Sequence, residues 1–142
     1  MIIGIDPGER RVGVAVADLE TRFARPHEVI DRQQVDAVGR ISAIVEELGA
    51  GLVVVGRPTG LSGRSGPAVE SQEEFVAELM GALSVEVREF DERFTSIVAD
   101  RGLRSAGVKA KDLKSRRDAV AAQIMLQGYL DATKPSIEGE RA

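Results

Sequence analysis

Four acidic residues from three separate parts of the chain are the side chains best suited to chemistry: Asp6, Asp91, Glu92 and Asp118. The chain has no cysteine and a single histidine, His27, which excludes thiolate zinc sites and leaves little for imidazole chemistry. Carboxylates that lie close together repel each other unless a cation or a proton separates them. If these acids converge, we expect a hard divalent cation between them, Mg²⁺ or Mn²⁺.

Hydrolysis of a phosphodiester bond is the reaction that such a cluster would explain. Two divalent ions about 4 Å apart activate a water molecule and stabilise the leaving oxygen. We predict Asp6 as the bridging ligand, with Glu92 and Asp118 each completing one ion and Asp91 as the alternative to Glu92. Each acid also has a structural explanation, because Asp6 begins an Asp-Pro-Gly turn, Asp118 suits a helix N-cap, and Asp91 and Glu92 suit an exposed loop.

Strands and helices that would position these acids alternate along the chain. The apolar spacing predicts strands over 1–6, 11–18, 24–30, 51–56 and 84–90, and helices over 36–48, 67–83, 95–105 and 118–131. This order predicts an α/β fold with a mixed five-stranded sheet, whose first three strands are antiparallel and whose helices cover both faces. We expect one domain over residues 1–131 and a flexible tail over 132–142.

The predicted strand ends would bring the acids together. Asp6 ends the first strand, and Asp91 and Glu92 follow the fifth strand. If those two strands are parallel, the three acids emerge at one edge of the sheet, where ligands of open α/β sheets bind. Asp118 would reach the same edge from the start of the last helix.

Basic residues are concentrated in one segment. The net charge of −4 and the pI of about 5.1 argue against a nucleic-acid partner, but residues 101–117 carry +6 and the remainder −10. Such a segment suits a phosphate backbone, although it is equally typical of a solvated loop, which we expect over residues 106–114. The candidate nucleic-acid contacts are Arg57, Arg93, Lys109, Lys111, Lys114, Arg116 and Arg117.

Nothing in the sequence indicates a membrane partner. It contains no run of about eighteen apolar residues, and Met1 leads directly into an apolar strand without a basic leader region. We therefore expect a soluble, unprocessed protein.

Several motifs, taken in order, resemble those of the YqgF/RuvX family of RNase H-like proteins. They are IGIDPG at 3–8, RRVGVA at 10–15, ARP at 24–26, VVGRP at 54–58, DERFTS at 91–96, and Lys114 four residues before Asp118 with IMLQGYL at 124–130. The resemblance covers about residues 1–131. It implies an RNase H-like, metal-dependent nuclease whose active site contains Asp6, Glu92 and Asp118, and which acts in the cytoplasm on the 5′ end of pre-16S ribosomal RNA.

Three departures from the family pattern bear on the substrate. Pro7 and Glu9 stand where the family more often has an aromatic residue and Thr or Ser, and Asp-Pro-Gly is closer to the opening motif of RuvC-type resolvases. Arg57 replaces a usual Leu, and residues 59–62 lack the usual Asn and Asp. The first departure favours an alternative that the family also includes, a Holliday junction resolvase.

Other classes of protein remain as alternatives. A non-catalytic RNA-binding module would use the basic segment, but it would gain nothing from clustered acids. The actin-like and sugar-kinase ATPases open with a similar turn, but they need two such domains to enclose a nucleotide. A resolvase that makes two symmetric cuts needs a homodimer, whereas a monomer can trim RNA, so we expect either state, with RNA favoured over branched DNA.

Overall fold

The computed structural model describes residues 1–57, 67–91 and 110–133, and the side chains of all of these except 67–70 and 110–118. The strands are β1 (Ile2–Pro7), β2 (Arg11–Ala17), β3 (Ala24–Asp31), β4 (Leu52–Arg57) and β5 (Glu86–Asp91). The helices in this part of the chain are α1 (Ala37–Leu48), α2 (Pro67–Ala82) and α3 (Ala110–Ala132). The helix predicted over 95–105 and most of the predicted tail lie outside the described residues.

The five strands form one sheet in the order β3-β2-β1-β4-β5. The pairs β1/β2 and β2/β3 are antiparallel, whereas β1/β4 and β4/β5 are parallel. The predicted mixed sheet with three antiparallel strands at its start is therefore confirmed, and β5 runs parallel to β1 as expected.

One face of the sheet, here called the α1/α2 face, packs against α1 and α2. Its strand residues are large and β-branched, and they bury the helix residues Ile41, Ile44 and Leu79 completely. The strand residues on this face include Ile3, Ile5, Val12, Val14, Val16, Ile30, Val53 and Val55. The helix α1 ends at Gly49, whose φ of 63° is the left-handed conformation that glycine adopts without strain.

The opposite face, here called the α3 face, packs against α3 alone among the described helices. Its strand residues are mostly small, and the helix supplies the larger side chains. The cluster contains Ile2, Ala15, Ala17, Ala24 and Val54 from the strands, and Ala122, Met125, Leu126, Tyr129 and Leu130 from the helix. The prediction of helices on both faces is thus confirmed.

The predicted start of the last helix was wrong. We expected a loop up to Lys114 and a helix that begins at about Asp118, where an N-cap was the structural alternative to a metal ligand. Instead α3 begins at Ala110, so Asp118 lies inside the helix and is not its N-cap. The prediction followed the apolar residues, which begin at Val120. Residues 110–117 consist mainly of Ala, Leu, Lys and Arg, which favour a helix without contributing to an apolar face.

Candidate active site

Asp6 lies at the carboxyl end of β1, immediately before a tight hairpin. Pro7 still pairs with Val12 of β2, and the backbone N–H of Gly8 donates to the carbonyl oxygen of Arg11 at 2.8 Å. A Cβ atom on Gly8 would lie 2.6 Å from that same oxygen, so the turn excludes any side chain there. The Asp-Pro-Gly sequence therefore leads into the predicted turn. Asp6 itself is half-buried and still pairs with β2.

The alternation of side chains along β1 shows on which face of the sheet Asp6 lies. Ile3 and Ile5 belong to the α1/α2 face, so Gly4 and Asp6 belong to the α3 face. The partner of Asp6 on β2 is Gly13, two residues from Ala15 of the α3 cluster. The carboxylate of Asp6 is thus on the side of the sheet that α3 covers.

Asp91 lies at the same edge of the sheet but on the other face. It is the last residue of β5 and pairs with Arg57, the last residue of β4. The preceding residue, Phe90, packs against the α3 cluster, so Asp91 belongs to the α1/α2 face. The structure brings Asp6 and Asp91 to one edge without placing them on one face.

The helix α3 runs antiparallel to β1. Leu126 lies over Gly4 in the middle of β1. The carbonyl oxygen of Leu130 accepts a hydrogen bond of 2.8 Å from Arg22, which precedes β3 at the opposite edge. Residue 118 is two helical turns before Leu126, about 12 Å along the helix axis. The N-terminal half of α3, including residue 118, is therefore directed toward the edge where Asp6 lies.

Side chains at the other end of α3 fix the helix to the turn before β3. The Gln127 Oε1 accepts from the backbone N–H of Ala24 at 2.8 Å, and its Nε2 donates to the carbonyl oxygen of Arg22 at 3.1 Å. Gln123 donates to the carbonyl oxygen of Ala24 at 3.1 Å. Neither glutamine was predicted as a functional residue, although two glutamines four apart on a mostly apolar helix are a signal for a specific polar contact.

A second contact that the sequence analysis missed fixes the hairpin. Arg32 donates from Nη1 to the carbonyl oxygen of Gly8 at 2.9 Å, and its Cζ lies 4.8 Å from the ring centroid of Phe75 in α2. The backbone N–H of Arg32 also donates to the carbonyl oxygen of Arg10 at 2.8 Å. Arg32 thus connects the turn after Asp6 to α2. No pattern in the sequence distinguishes it from the other surface arginines.

A charged pair flanks the hairpin. Arg10 lies 3.5 Å from Asp31 at the end of β3. The backbone N–H of Gln33 and, to a lesser extent, Arg10 lower the pKa of Asp31 below its usual value. This carboxylate therefore stays ionised close to the edge that carries Asp6.

The other predicted site residues divide into two groups. Arg57 is exposed at the same edge as Asp6, and the backbones of Lys111, Lys114, Arg116 and Arg117 lie in the N-terminal half of α3. Glu92, Arg93 and Lys109 lie outside the described residues. Among the side chains that the structure describes, those of residues 1–57, 71–91 and 119–133, no three His, Asp or Glu come close enough together to hold a metal ion.

Known proteins similar to this chain give the family. A family model described as RuvX, Holliday junction resolvase, matches residues 1–132. The chain belongs to the RuvX family. One RuvX relative, from Chloroflexus aggregans, is 43% identical over 134 residues, which cover 94% of each chain. Another, from a Mycobacterium species, is 41% identical over 138 residues, covering 95% of this chain and 82% of the relative. Both are provisionally named pre-16S rRNA nuclease.

Two solved structures, a RuvC and a viral resolvase, have the same fold. Thermus thermophilus RuvC aligns over 93% of this chain and 95% of its own, with a TM-score of 0.55 and 20% identity. The fowlpox virus resolvase, solved with Holliday junction DNA, aligns over 94% of this chain and 98% of its own, with a TM-score of 0.56 and 10% identity. At these identities the likeness shows the fold alone, and it confirms the predicted RNase H-like architecture of this RuvX protein.

The predicted class of activity is also confirmed. The RuvX family description and the names of the relatives both denote nucleases, so the chain is a hydrolase that acts on phosphodiester bonds of nucleic acid. In the part of the chain that the structure describes, no helix is both long and apolar enough to cross a membrane.

Proposed function

We propose that this RuvX protein is a divalent-metal-dependent nuclease that matures the 5′ end of pre-16S ribosomal RNA in the cytoplasm. The observation that carries the proposal is the position of Asp6. Its carboxylate lies at the carboxyl edge of the sheet, on the α3 face, and the half of α3 that carries Asp118 is directed to the same edge. The position of Asp6 and the direction of the helix half that carries residue 118 thus support one site at this edge, in a chain that belongs to a nuclease family.

We assign the metal ligands according to the face of the sheet on which each acid lies. Asp6 would be the ligand common to both ions, and Asp118 would hold one of them. Because Asp91 belongs to the face opposite to Asp6, we assign the remaining ligand to the neighbouring acid, Glu92. All three are carboxylates, which fit Mg²⁺ or Mn²⁺ and do not fit softer metals.

The bound ions would supply an activated water and stabilise the charge on the leaving oxygen. The chain's own contribution is to orient the substrate. Lys111, Lys114, Arg116 and Arg117 lie in the half of α3 directed to the site, and Arg57 is exposed at the same edge. We propose that these residues, with Arg93 and Lys109, hold phosphate oxygens, so that binding depends on the nucleic-acid backbone more than on base sequence.

RNA is the proposed substrate because the curated relatives are named for it. A Holliday junction resolvase is the second candidate, which the RuvX family description and the Asp6-Pro7-Gly8 turn favour. The two differ in assembly, since paired cuts across a junction require a twofold dimer, whereas a monomer suffices for trimming RNA.

The test is a side-by-side cleavage assay on a labelled pre-16S RNA fragment and on a four-way DNA junction, with Mg²⁺, Mn²⁺ or a chelator. We expect metal-dependent RNA cleavage that Asp6→Asn abolishes without unfolding the protein. Asp131→Asn is the matched control, because it makes the same change at an exposed position at the other end of α3.

Cleavage by Asp6→Asn at the native rate would contradict the mechanism. Paired symmetric cuts in the junction would favour the resolvase. Binding of RNA without cleavage of either substrate would favour a non-catalytic module.

A further inference from the structure

Gly4 of β1 leaves no room for a side chain between itself and Leu126 of α3. A Cβ atom on Gly4 would lie 2.8 Å from the Cβ of Leu126, and 3.2 Å from both its Cγ and its Cδ2. Carbon atoms that are not bonded prefer about 3.5–4.0 Å. A rotation of the Leu126 side chain cannot relieve the shortest of these contacts, because Cβ is fixed to the helix backbone. Any side chain at residue 4 would therefore push α3 away from β1.

The backbone does not itself require glycine at this position. Gly4 is an ordinary residue of β1, and its φ is not in the left-handed region. The contact with α3 is therefore the reason that only glycine fits. This makes Gly4 different from Gly49, where the backbone conformation sets the requirement.

Both partners are close to the candidate active site. Gly4 is two residues before Asp6 on the same face of β1, and Leu126 is two helical turns after residue 118. A strand and a helix of this kind move as nearly rigid elements, so a displacement at Gly4 and Leu126 changes the separation of β1 and α3 at the site as well. A metal site needs its ligands within about 0.5 Å of the productive geometry.

We propose that the contact between Gly4 and Leu126 positions the two elements that carry Asp6 and Asp118, and so sets the spacing of the metal ligands. Gly4 is a positioning residue in this proposal and touches neither metal nor substrate. The proposal rests on the proposed function, in which both acids are ligands.

The experiment is a calorimetric titration of the protein with Mn²⁺ in the absence of nucleic acid. We expect Gly4→Ala to weaken Mn²⁺ binding about tenfold or more, the range found for residues that orient metal ligands. Gly51→Ala is the matched control, because no atom lies within 4 Å of a Cβ at that position. Leu79→Ala, buried on the α1/α2 face, controls for a general loss of stability, and we expect it to lower Tm with the Mn²⁺ affinity unchanged.

A double variant covers the case in which Gly4→Ala does not fold. Gly4→Ala with Leu126→Gly removes all three contacting atoms of the leucine, and we expect it to bind Mn²⁺ within a few fold of the native protein despite a lower Tm. If this folded double variant instead binds Mn²⁺ about tenfold more weakly than the native protein, the contact between residues 4 and 126 does not set the spacing of the metal ligands.

Asp6→Asn in the same titration separates this proposal from the proposed function. If Asp6→Asn and the native protein bind Mn²⁺ alike, the proposed metal site is wrong, and the positioning contact is wrong with it. If Asp6→Asn abolishes binding while folded Gly4→Ala binds as tightly as the native protein, the metal site stands and only the positioning contact is overturned.

Discussion

The two faces of the sheet are packed in different ways, although they belong to the same strands. On the α1/α2 face, Ile3 and Ile5 of β1 pack against buried aliphatic residues of the two helices. On the α3 face, the same strand presents Gly4 and Asp6, and its neighbour β2 presents Ala15 and Ala17. Large side chains hold α1 and α2 at a distance, whereas small ones let α3 approach closely.

The two faces therefore contribute differently to the stability of the fold and to the position of the helix at the site. Large apolar side chains bury more surface, so the strand residues of the α1/α2 face contribute more hydrophobic free energy than the small strand residues of the α3 face. On the α3 face, the position of the helix is fixed by a close contact at Gly4 and by directional hydrogen bonds from Gln127 and Gln123. We infer that substitutions on the first face mainly change the free energy of unfolding, and that those on the second also change the geometry of the site.

The largest loss of stability is expected on the α1/α2 face. Ile44 of α1 is fully buried there, and Ile44→Ala should lower the free energy of unfolding by about 2–5 kcal/mol, because it removes buried methyl groups and leaves a cavity. Urea denaturation measures the loss, and Mn²⁺ titration of the folded fraction should show native affinity. Met80→Ala, at a side chain that is 52% exposed, is the control and should change stability by less than about 0.5 kcal/mol. A weakened Mn²⁺ affinity in Ile44→Ala would remove the distinction between the faces.

A smaller loss with a different signature is expected on the α3 face. Gln127→Leu removes the acceptor of the Ala24 N–H and the donor to the Arg22 carbonyl. Leaving these partly buried backbone groups unsatisfied should cost about 1–3 kcal/mol. Hydrogen exchange should show faster exchange at Ala24 and along α3 than in α1. Gln34→Leu, at an exposed residue after β3, is the control and should leave the exchange pattern unchanged. If Gln127→Leu instead accelerates amide exchange equally in α1 and α3, the hydrogen bonds of Gln127 do not hold α3 in particular.

The hairpin contact tests whether the α1/α2 face also contributes to positioning. Arg32→Met removes the hydrogen bond to Gly8 and the contact with the Phe75 ring, and it should cost about 0.5–1 kcal/mol, as expected for an exposed cation–π contact. Amide exchange at Gly8 should become faster. Arg10→Met is the control, because the guanidinium of Arg10 lies at the long distance of 3.5 Å from its partner, Asp31. Equal effects of the two substitutions would mean that Arg32 has no special role at the hairpin.

Sequence predicted the α1/α2 face better than the α3 face, and for a physical reason. Local patterns identify the strands of this face, namely the alternation of Ile3, Ile5 and the valines and the continuous apolar run of β4. These strands in turn allow few sheet orders. The start of α3 at Ala110 was missed because good helix formers continue the helix beyond its apolar residues. The roles of Gly4, Gln127 and Arg32 depend on partners roughly 20 to 120 positions away in the chain, and no local pattern specifies such partners. The convergence of Asp6, Glu92 and Asp118 stays a prediction.

The smallest expected effect is a dependence on pH on the α1/α2 face. Glu28 of β3 accepts two hydrogen bonds from Arg40 of α1, at 2.7 and 2.8 Å, and these hydrogen bonds hold the pKa of Glu28 below its usual value of 4.5. A carboxylate whose pKa is lower in the folded state stabilises the fold above its unfolded pKa, and this contribution is lost as the pH falls through the folded pKa. Glu28→Gln should therefore reduce the fall in stability on acidification below about pH 4.5, and the difference between native and variant should be greatest at neutral pH. Chemical denaturation from pH 7 to pH 3 measures this, with Glu73→Gln, an exposed residue of α2, as the control for the change in net charge. If native and Glu28→Gln lose stability in parallel over that range, the ion pair makes no net contribution, and the stability of this face comes from its apolar residues alone.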